Sequence, residues 1–160
     1  MPRLLYRGRQ VWQALRTRID PDRLAAIDDV LSHQEASLFQ AMERRDQRHA
    51  LEVTHRLLAA GVQDRDILKA AMLHDCGKGS VPVWLRIVKV LAPRLVRAAA
   101  RPGASSWRGA AYRITLHAQI GARAAEQAGA SPLTVRLISG QVGSEDAAKL
   151  ELLTAADDVS

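Results

Sequence analysis

The chain has 160 residues, 48% of them hydrophobic and 25% charged, a composition that suits one globular domain and excludes a disordered tail. Its 23 basic and 17 acidic residues give a net charge of +6, and the single cysteine, Cys76, excludes an internal disulfide framework and a cysteine-based zinc site. Arginines interrupt the apolar stretches and residues 1–19 lack a signal-peptide core, so we expect a cytoplasmic protein without a transmembrane segment.

Helix-favouring residues, chiefly alanine, leucine and arginine, dominate the chain, and alternating strand patterns are rare. Glycine, proline and capping residues divide it into helical segments. We predict helices over about residues 21–31, 35–42, 45–60, 64–75, 83–100 with a kink or break at Pro93, 107–128 and 144–159, with a further helix beginning at Ser131-Pro132. No repeat or long linker interrupts the chain, so we expect one all-α domain over residues 1–160.

Positive charge is concentrated in residues 76–125, which contain no acidic residue. At about 100° per residue, five basic side chains project onto one side of the helix predicted over residues 83–100: Arg86, Lys89, Arg94, Arg97 and Arg101. Such a surface would attract phosphates or anionic lipid, or would be the solvated face of an amphipathic helix.

Specific nucleic-acid binding is not expected. The three Trp, two Tyr and one Phe are too few for an obvious platform on which bases could stack. Gly77-Lys78 lacks the upstream glycine of a phosphate-binding loop, and no zinc-finger spacing is present. The basic segment therefore predicts at most a weak contact with an anionic surface.

Polar residues lie where the helical pattern calls for apolar ones. His74 and Asp75 project onto the apolar face of their predicted helix, a face formed by Ile67, Leu68, Ala70 and Ala71. Burying an imidazole beside a carboxylate is costly unless something pairs them. A divalent cation would do so, and so would a purely structural hydrogen bond between the two side chains.

Other polar residues lie on or beside apolar helix faces in the same way. In the last helix Asp157 lies beside the apolar face, whereas Asp158 projects toward water. His117 lies on a stripe of apolar and small residues, and the small ones would let another helix or a ligand approach closely. His49 and His55 share one helix about 120° apart, so they are not expected to bind one ion together, and periodicity does not choose between them.

Together these residues resemble a known family. His49-Ala-Leu-Glu-Val, Leu73-His74-Asp75-Cys-Gly77-Lys78 and Ala156-Asp157 look like the H…HD…D pattern of HD-domain metal-dependent phosphohydrolases, over residues 46–158. The resemblance implies an HD-type helical bundle in which residues 1–45 form N-terminal helices and residues 46–158 the metal-site core. It also implies that His49, His74, Asp75 and Asp157 hold one metal ion, which selects His49 over His55.

The chain departs from parts of the family pattern. His117 resembles the first of two further histidines found in members with two metals, but residues 138–143 contain no second one. The HHE and GYP strings of cyclic-di-nucleotide phosphodiesterases are absent as well. We therefore expect a single ion. The acidic residue that some members place just after the HD pair is also missing, which leaves the proton donor unassigned.

The expected ligand set of two imidazoles and two carboxylates suits Mn, Fe, Co, Ni or Mg better than a structural zinc. A metal-activated water would then attack a small phosphate ester such as a nucleotide, as a phosphomonoesterase or phosphodiesterase does. Asp75 would orient that water, and Lys78 would offset charge on the phosphoryl oxygens or simply stabilise a helix C-terminus. His117 would contact phosphate, donate a proton or bind a second metal.

The missing histidine and missing acid support a second hypothesis. The chain would then be a non-catalytic regulatory HD domain that binds a nucleotide or a protein partner and keeps its metal for structure. Cys76 is expected to pack as a small apolar residue in either case.

Overall fold

The computed structural model describes residues 30–158, and their regular structure is entirely helical, which confirms the all-α prediction. The predicted helix over residues 21–31 lies outside the described residues except for Val30 and Leu31, which are not helical. The elements are α1 (His33–Ala41), α2 (Arg44–Ala59), α3 (Arg65–Leu73), α4 (Val83–Leu91), α5 (Pro93–Ala99), α6 (Trp107–Gln127), α7 (Pro132–Ser139), a 3-10 turn (Ser144–Asp146) and α8 (Ala147–Asp158).

Local sequence signals account for most helix boundaries. The Asp64 carboxylate caps α3 by accepting from the backbone N–H groups of Asp66 and Ile67. Ser131 caps α7 by accepting from the Thr134 N–H, and Pro132 occupies the first turn. Pro93 lacks the N–H that would continue α4, so the segment divides there into α4 and α5, as predicted.

Two apolar cores are joined by the long helix α6. The larger core contains Phe39, Leu57, Met72 and Leu137 among its buried side chains, and α2, α3 and α7 contribute most of it. The smaller core lies between α4, α5 and the first half of α6 and consists of Val81, Leu85, Val96, Ala110, Ala111 and Ile114. Helix α6 is kinked at Leu116, where φ is −116° and ψ is 20°, and its residues before and after the kink belong to different cores.

Salt bridges link the inner side of α4 to the start of α2. Arg86 donates to Asp46 at 3.1 Å and to Glu43 at 2.8 Å, and the Asp46 side chain is buried. Arg86 therefore does not belong to a solvated face, although the sequence pattern allowed that interpretation. Within residues 30–158 none of the helices combines the length and apolar character needed to cross a membrane.

An ion pair between Glu35 and Lys69 links α1 to α3. The Glu35 side chain is fully buried and accepts from the Ser32 N–H at 2.7 Å, completing a capping box. Both of its oxygens also accept from Lys69 Nζ, at 2.9 and 2.8 Å. Burial alone would raise the pKa of Glu35, but the bonds from Lys69 and Ser32 outweigh it and lower the pKa below 4.5.

Replacing Glu35 with glutamine is expected to lower the free energy of unfolding by about 2 kcal/mol at neutral pH, because a half-buried Lys69 loses its counter-charge. A native pKa below the unfolded one means that this stabilisation is complete above about pH 4.5 and is lost as the pH falls further. Urea unfolding at pH 7 and pH 3 should therefore show the two proteins converging at the lower pH. A gap that stays constant would contradict the role given to the charge.

Candidate metal centre

Three side chains from distant parts of the chain meet where α2, α3 and α8 pack together. His49 Nε2 lies 2.7 Å from Asp157 Oδ1, and His74 Nε2 lies 3.5 Å from the same oxygen. The two imidazoles meet edge to face with their centroids 5.3 Å apart. One donor atom from each residue lies within 4.8 Å of the other two, so these three residues could hold a metal ion.

Each of these side chains is positioned by the packing of its helix. His49 precedes Ala50, which is fully buried in α2, and it reaches the edge of the core. His74 directly follows the buried end of α3, where Met72 and Leu73 have no exposed surface. In α8 the buried Leu153 packs into the core one turn before Asp157, so the carboxylate faces α2.

The imidazole of His74 is oriented for a ligand. Its Nδ1 lies 2.8 Å from the Ala71 carbonyl oxygen, which can only accept, so Nδ1 donates its proton there. Nε2 then faces Asp157 and Asp75. This atom is buried and has no hydrogen-bond partner, since 3.5 Å to either carboxylate is too long for a good bond.

The charges of the cluster favour cations. Burial lowers the pKa of His74, but the Asp157 and Asp75 carboxylates outweigh that effect, and its pKa is raised. His74 and His49 beside Asp157 lower the pKa of that carboxyl to about 2, against the opposing effect of its partial burial. Positive charge is therefore stabilised at the point where the three donor atoms meet.

Asp75 lies beside this trio rather than within it. Its side chain is buried, and Oδ1 lies 3.5 Å from His74 Nε2 and 3.9 Å from His117 Nε2. Its other oxygen, Oδ2, accepts from Lys78 Nζ at 2.5 Å. The predicted fourth ligand thus adjoins the cluster, and Lys78 neutralises it from the opposite side.

His117 occupies the kink of α6. The Ile114 carbonyl accepts there from His117 Nδ1 at 3.1 Å and from Lys89 Nζ at 2.7 Å. Burial and the neighbouring Lys78 lower the pKa of His117, so its ring is neutral with Nε2 free to accept a proton. His117 therefore lies on the Asp75 side of the site.

The sequence does not predict the position of Lys89 in the site. The helical pattern groups Lys89 with Arg86 on a basic face, but the structure shows that Lys89 is partly buried and points at the kink of α6. Burial and Lys78 lower the pKa of Lys89. The carbonyl that accepts from its amine lies at the kink, and the sequence gives no signal for a kink at Leu116, where neither proline nor glycine occurs.

The loop after α3 presses directly against α6. A Cβ atom on Gly77 would lie 2.1 Å from the His117 carbonyl oxygen and 2.5 Å from the Gly121 nitrogen, so a side chain cannot fit. Cys76 Sγ contacts Gly121, and burial raises the pKa of this thiol to about 11, in keeping with the expected packing role. The small residues of α6 thus accommodate the loop that carries Asp75 and Lys78.

The structure also distinguishes His49 from His55 and Asp157 from Asp158. His49, rather than His55, belongs to the three-residue cluster. Asp158 is exposed while Asp157 is partly buried, in line with the pattern of the last helix.

Imidazole nitrogens and carboxylate oxygens are ligands that borderline and hard divalent ions share. One observation supports a metal ion at this cluster independently of any family resemblance. His74 Nε2 is a buried polar atom without a hydrogen-bond partner, and such an atom requires an explanation. A bound cation would provide one. Comparison of the chain with protein-family models, curated proteins and solved structures finds no match, so the description of this site rests on its residues and geometry.

Proposed function

We propose that the protein is a metal-dependent phosphohydrolase of the HD type that acts on a small phosphate ester such as a nucleotide. The observation that carries the proposal is the convergence of His49, His74 and Asp157, with the unpartnered His74 Nε2 aimed into the cluster. The three residues occupy the positions at which the sequence resembles the H…HD…D pattern. A phosphohydrolase needs, in addition, groups that bind phosphate and move protons, and these adjoin the cluster.

Four residues would hold the ion: His49, His74 and Asp157 of the cluster, with Asp75 approaching from its buried side. A divalent cation bound there would supply a Lewis acid that polarises a phosphoryl oxygen and acidifies a water molecule. The Nδ1 bond from His74 to the Ala71 carbonyl fixes the ring in the orientation that such a ligand needs.

The remaining chemistry belongs to residues around Asp75. Lys78 donates to Asp75 Oδ2, and Lys89 donates to the Ile114 carbonyl oxygen, which also accepts from His117. Two ammonium groups in a partly buried setting would bind phosphoryl oxygens and stabilise their growing charge. His117, neutral through its lowered pKa, can take a proton at Nε2 and return it to a leaving group, and it fills the role for which no carboxylic acid was found.

The test uses the full chain, stripped with a chelator and then supplied with Mn²⁺, Fe²⁺, Co²⁺, Ni²⁺ or Mg²⁺. We expect at least one ion to restore hydrolysis of a member of a panel of nucleoside monophosphates, cyclic nucleotides and nucleoside triphosphates, measured by chromatography of the nucleotide products together with phosphate release. Asp75→Asn is expected to reduce the rate by more than about 100-fold, because it removes a charge that faces both the ligands and His117. Asp158→Asn, on the exposed neighbour of Asp157, should leave the rate unchanged.

Failure of every ion to support turnover on the whole panel would contradict the proposal. Equal activity in Asp75→Asn and the Asp158→Asn control would contradict the role given to Asp75.

A second candidate function is a regulatory domain that binds a nucleotide without turnover. The contact that favours it is the 2.5 Å bond between Lys78 and Asp75, which engages one oxygen of the carboxylate expected to orient water. Metal and nucleotide binding measured by calorimetry, with hydrolysis of the whole panel at background, would select this function.

A further inference from the structure

A group of exposed large hydrophobic side chains lies on α4, α5 and the start of α6. Seven of the eight large hydrophobic side chains exposed in residues 30–158 are found there, and we call them the apolar ridge: Val83, Trp84, Ile87, Val90, Leu91, Leu95 and Trp107. Val90 and Leu91 are 80% and 78% exposed. Single exposed hydrophobics are ordinary, but a contiguous group of this kind marks an interaction surface.

The ridge draws its side chains from three helices. At about 100° per residue, its five members in α4 fall within an arc of about 120°, opposite the buried Leu85. Trp84 and Trp107 pack edge to face with ring centroids 5.9 Å apart, which links α4 to the start of α6. Leu95 extends the surface onto α5, where it is 68% exposed.

Positive charge accompanies this surface. Arg94 and Arg97 are exposed on α5, and Arg101, exposed just after it, donates to the carbonyls of Ala98 and Ala100. The Arg108 guanidinium lies over the Trp107 ring, 5.6 Å from its centroid. Because residues 76–125 contain no acidic residue, nothing within that stretch offsets these cations.

We propose that the apolar ridge docks the protein onto the surface of an anionic lipid bilayer. Exposed aliphatic side chains would enter the boundary between headgroups and acyl chains, tryptophans favour that interface, and arginines would pair with anionic headgroups. A second copy of the chain suits the surface less well, because a two-fold contact would bring the same arginines together. A nucleic acid would leave the aliphatic side chains of the ridge uncovered.

The docking surface and the metal centre use different faces of α4. Arg86 and Lys89 point inward from this helix, toward Asp46 and the kink of α6, whereas the ridge points outward. The proposal therefore stands independently of any catalytic activity, and binding to a bilayer can be measured on the metal-free protein.

Co-sedimentation of the full chain with vesicles tests the proposal. We expect binding to phosphatidylcholine vesicles that contain 30% phosphatidylglycerol, and much weaker binding to phosphatidylcholine alone. Val90→Asp combined with Leu91→Asp should weaken binding to the anionic vesicles by more than about 30-fold, since it removes inserted groups and adds two negative charges. Both side chains are so exposed that the fold should tolerate the change, which circular dichroism and thermal unfolding would verify.

Two further variants separate the contributions. Arg94→Gln combined with Arg97→Gln should weaken binding by about 30-fold at low salt, since each arginine near an anionic surface contributes about a fivefold gain. Leu152→Asp changes the one large exposed hydrophobic that residues 30–158 have outside the ridge, 46% exposed on α8, and should bind like the unchanged protein.

Several outcomes would overturn the proposal. One is an absence of binding to anionic vesicles, and another is equal binding by the Val90 and Leu91 double variant. A dimer in solution that the same double variant dissociates would assign the ridge to self-association, and tight binding to duplex DNA without vesicle binding would assign it to a nucleic acid.

Discussion

Replacement of His74 by alanine is expected to weaken divalent-metal binding by more than about 100-fold and to abolish any metal-dependent phosphate release. Loss of a residue that merely orients a metal ligand costs about 10–100-fold in affinity, and His74 supplies a donor atom itself. Its Nε2 is the buried atom of the cluster that lacks a protein partner, so the remaining residues offer no substitute. Calorimetric titration with Mn²⁺ or Co²⁺ measures the loss directly.

The matched control is His55→Ala, on the same helix as His49 but outside the three-residue cluster, which should bind metal normally. His74 is mostly buried, so its removal could also disturb packing. His49→Ala provides the second test, because the His49 side chain is 27% exposed and its removal should leave the core intact. Metal affinity unchanged in both the His74 and the His49 variants would show that this cluster is not the metal centre.

Replacement of Gly77 by alanine is expected to destabilise the protein by about 3 kcal/mol. The added methyl group would lie 2.1 Å from the His117 carbonyl oxygen and 2.5 Å from the Gly121 nitrogen, both backbone atoms that cannot rotate away. The loop that carries Asp75 and Lys78 would have to move off α6, so activity should fall together with stability. Chemical denaturation measures the free energy of unfolding.

Gly61→Ala is the control for this substitution. A Cβ atom on Gly61 would meet nothing within 4 Å, although its φ of +83° makes the change mildly unfavourable. A cost confined to about 1 kcal/mol is expected there. If Gly77→Ala were no more destabilising than Gly61→Ala, the close contact between the loop and α6 would be wrong.

Several helix boundaries follow from capping residues and prolines that can be recognised in the sequence alone. Asp64, Pro93 and Ser131-Pro132 act locally, through a capping oxygen or a missing N–H, so their effect does not depend on tertiary packing. His74 and Asp157 could be singled out for a similar reason, since a polar residue on an apolar helix face is conspicuous in the sequence.

The rest depends on how helices pack. Asp75 is bonded to Lys78 and lies beside the trio, and no spacing rule predicts on which side of an imidazole a carboxylate will lie. The position of Lys89 depends on the kink at Leu116, which carries no local sequence signal. The apolar side of α4 is exposed because Leu85 and Val88 supply its contact with the smaller core, and periodicity alone assigns the wider apolar stripe to the interior.

The kink of α6 has a consequence for the site as a whole. It lets one helix serve both cores while turning His117 and the Ile114 carbonyl toward Asp75 and Lys89. The cationic side of the site, with Lys78, Lys89 and His117, is thus built where the smaller core meets the larger one.

The most direct test of the metal centre is a crystal soaked in Mn²⁺ or Co²⁺ and measured at the absorption edge of the ion. The geometry predicts one anomalous peak about 2.0–2.3 Å from His49 Nε2, His74 Nε2 and the Asp157 carboxylate, with Asp75 alongside. A soaked crystal in which His49 still bonds to Asp157 at 2.7 Å and no peak lies between them would show that the cluster is a structural ion pair.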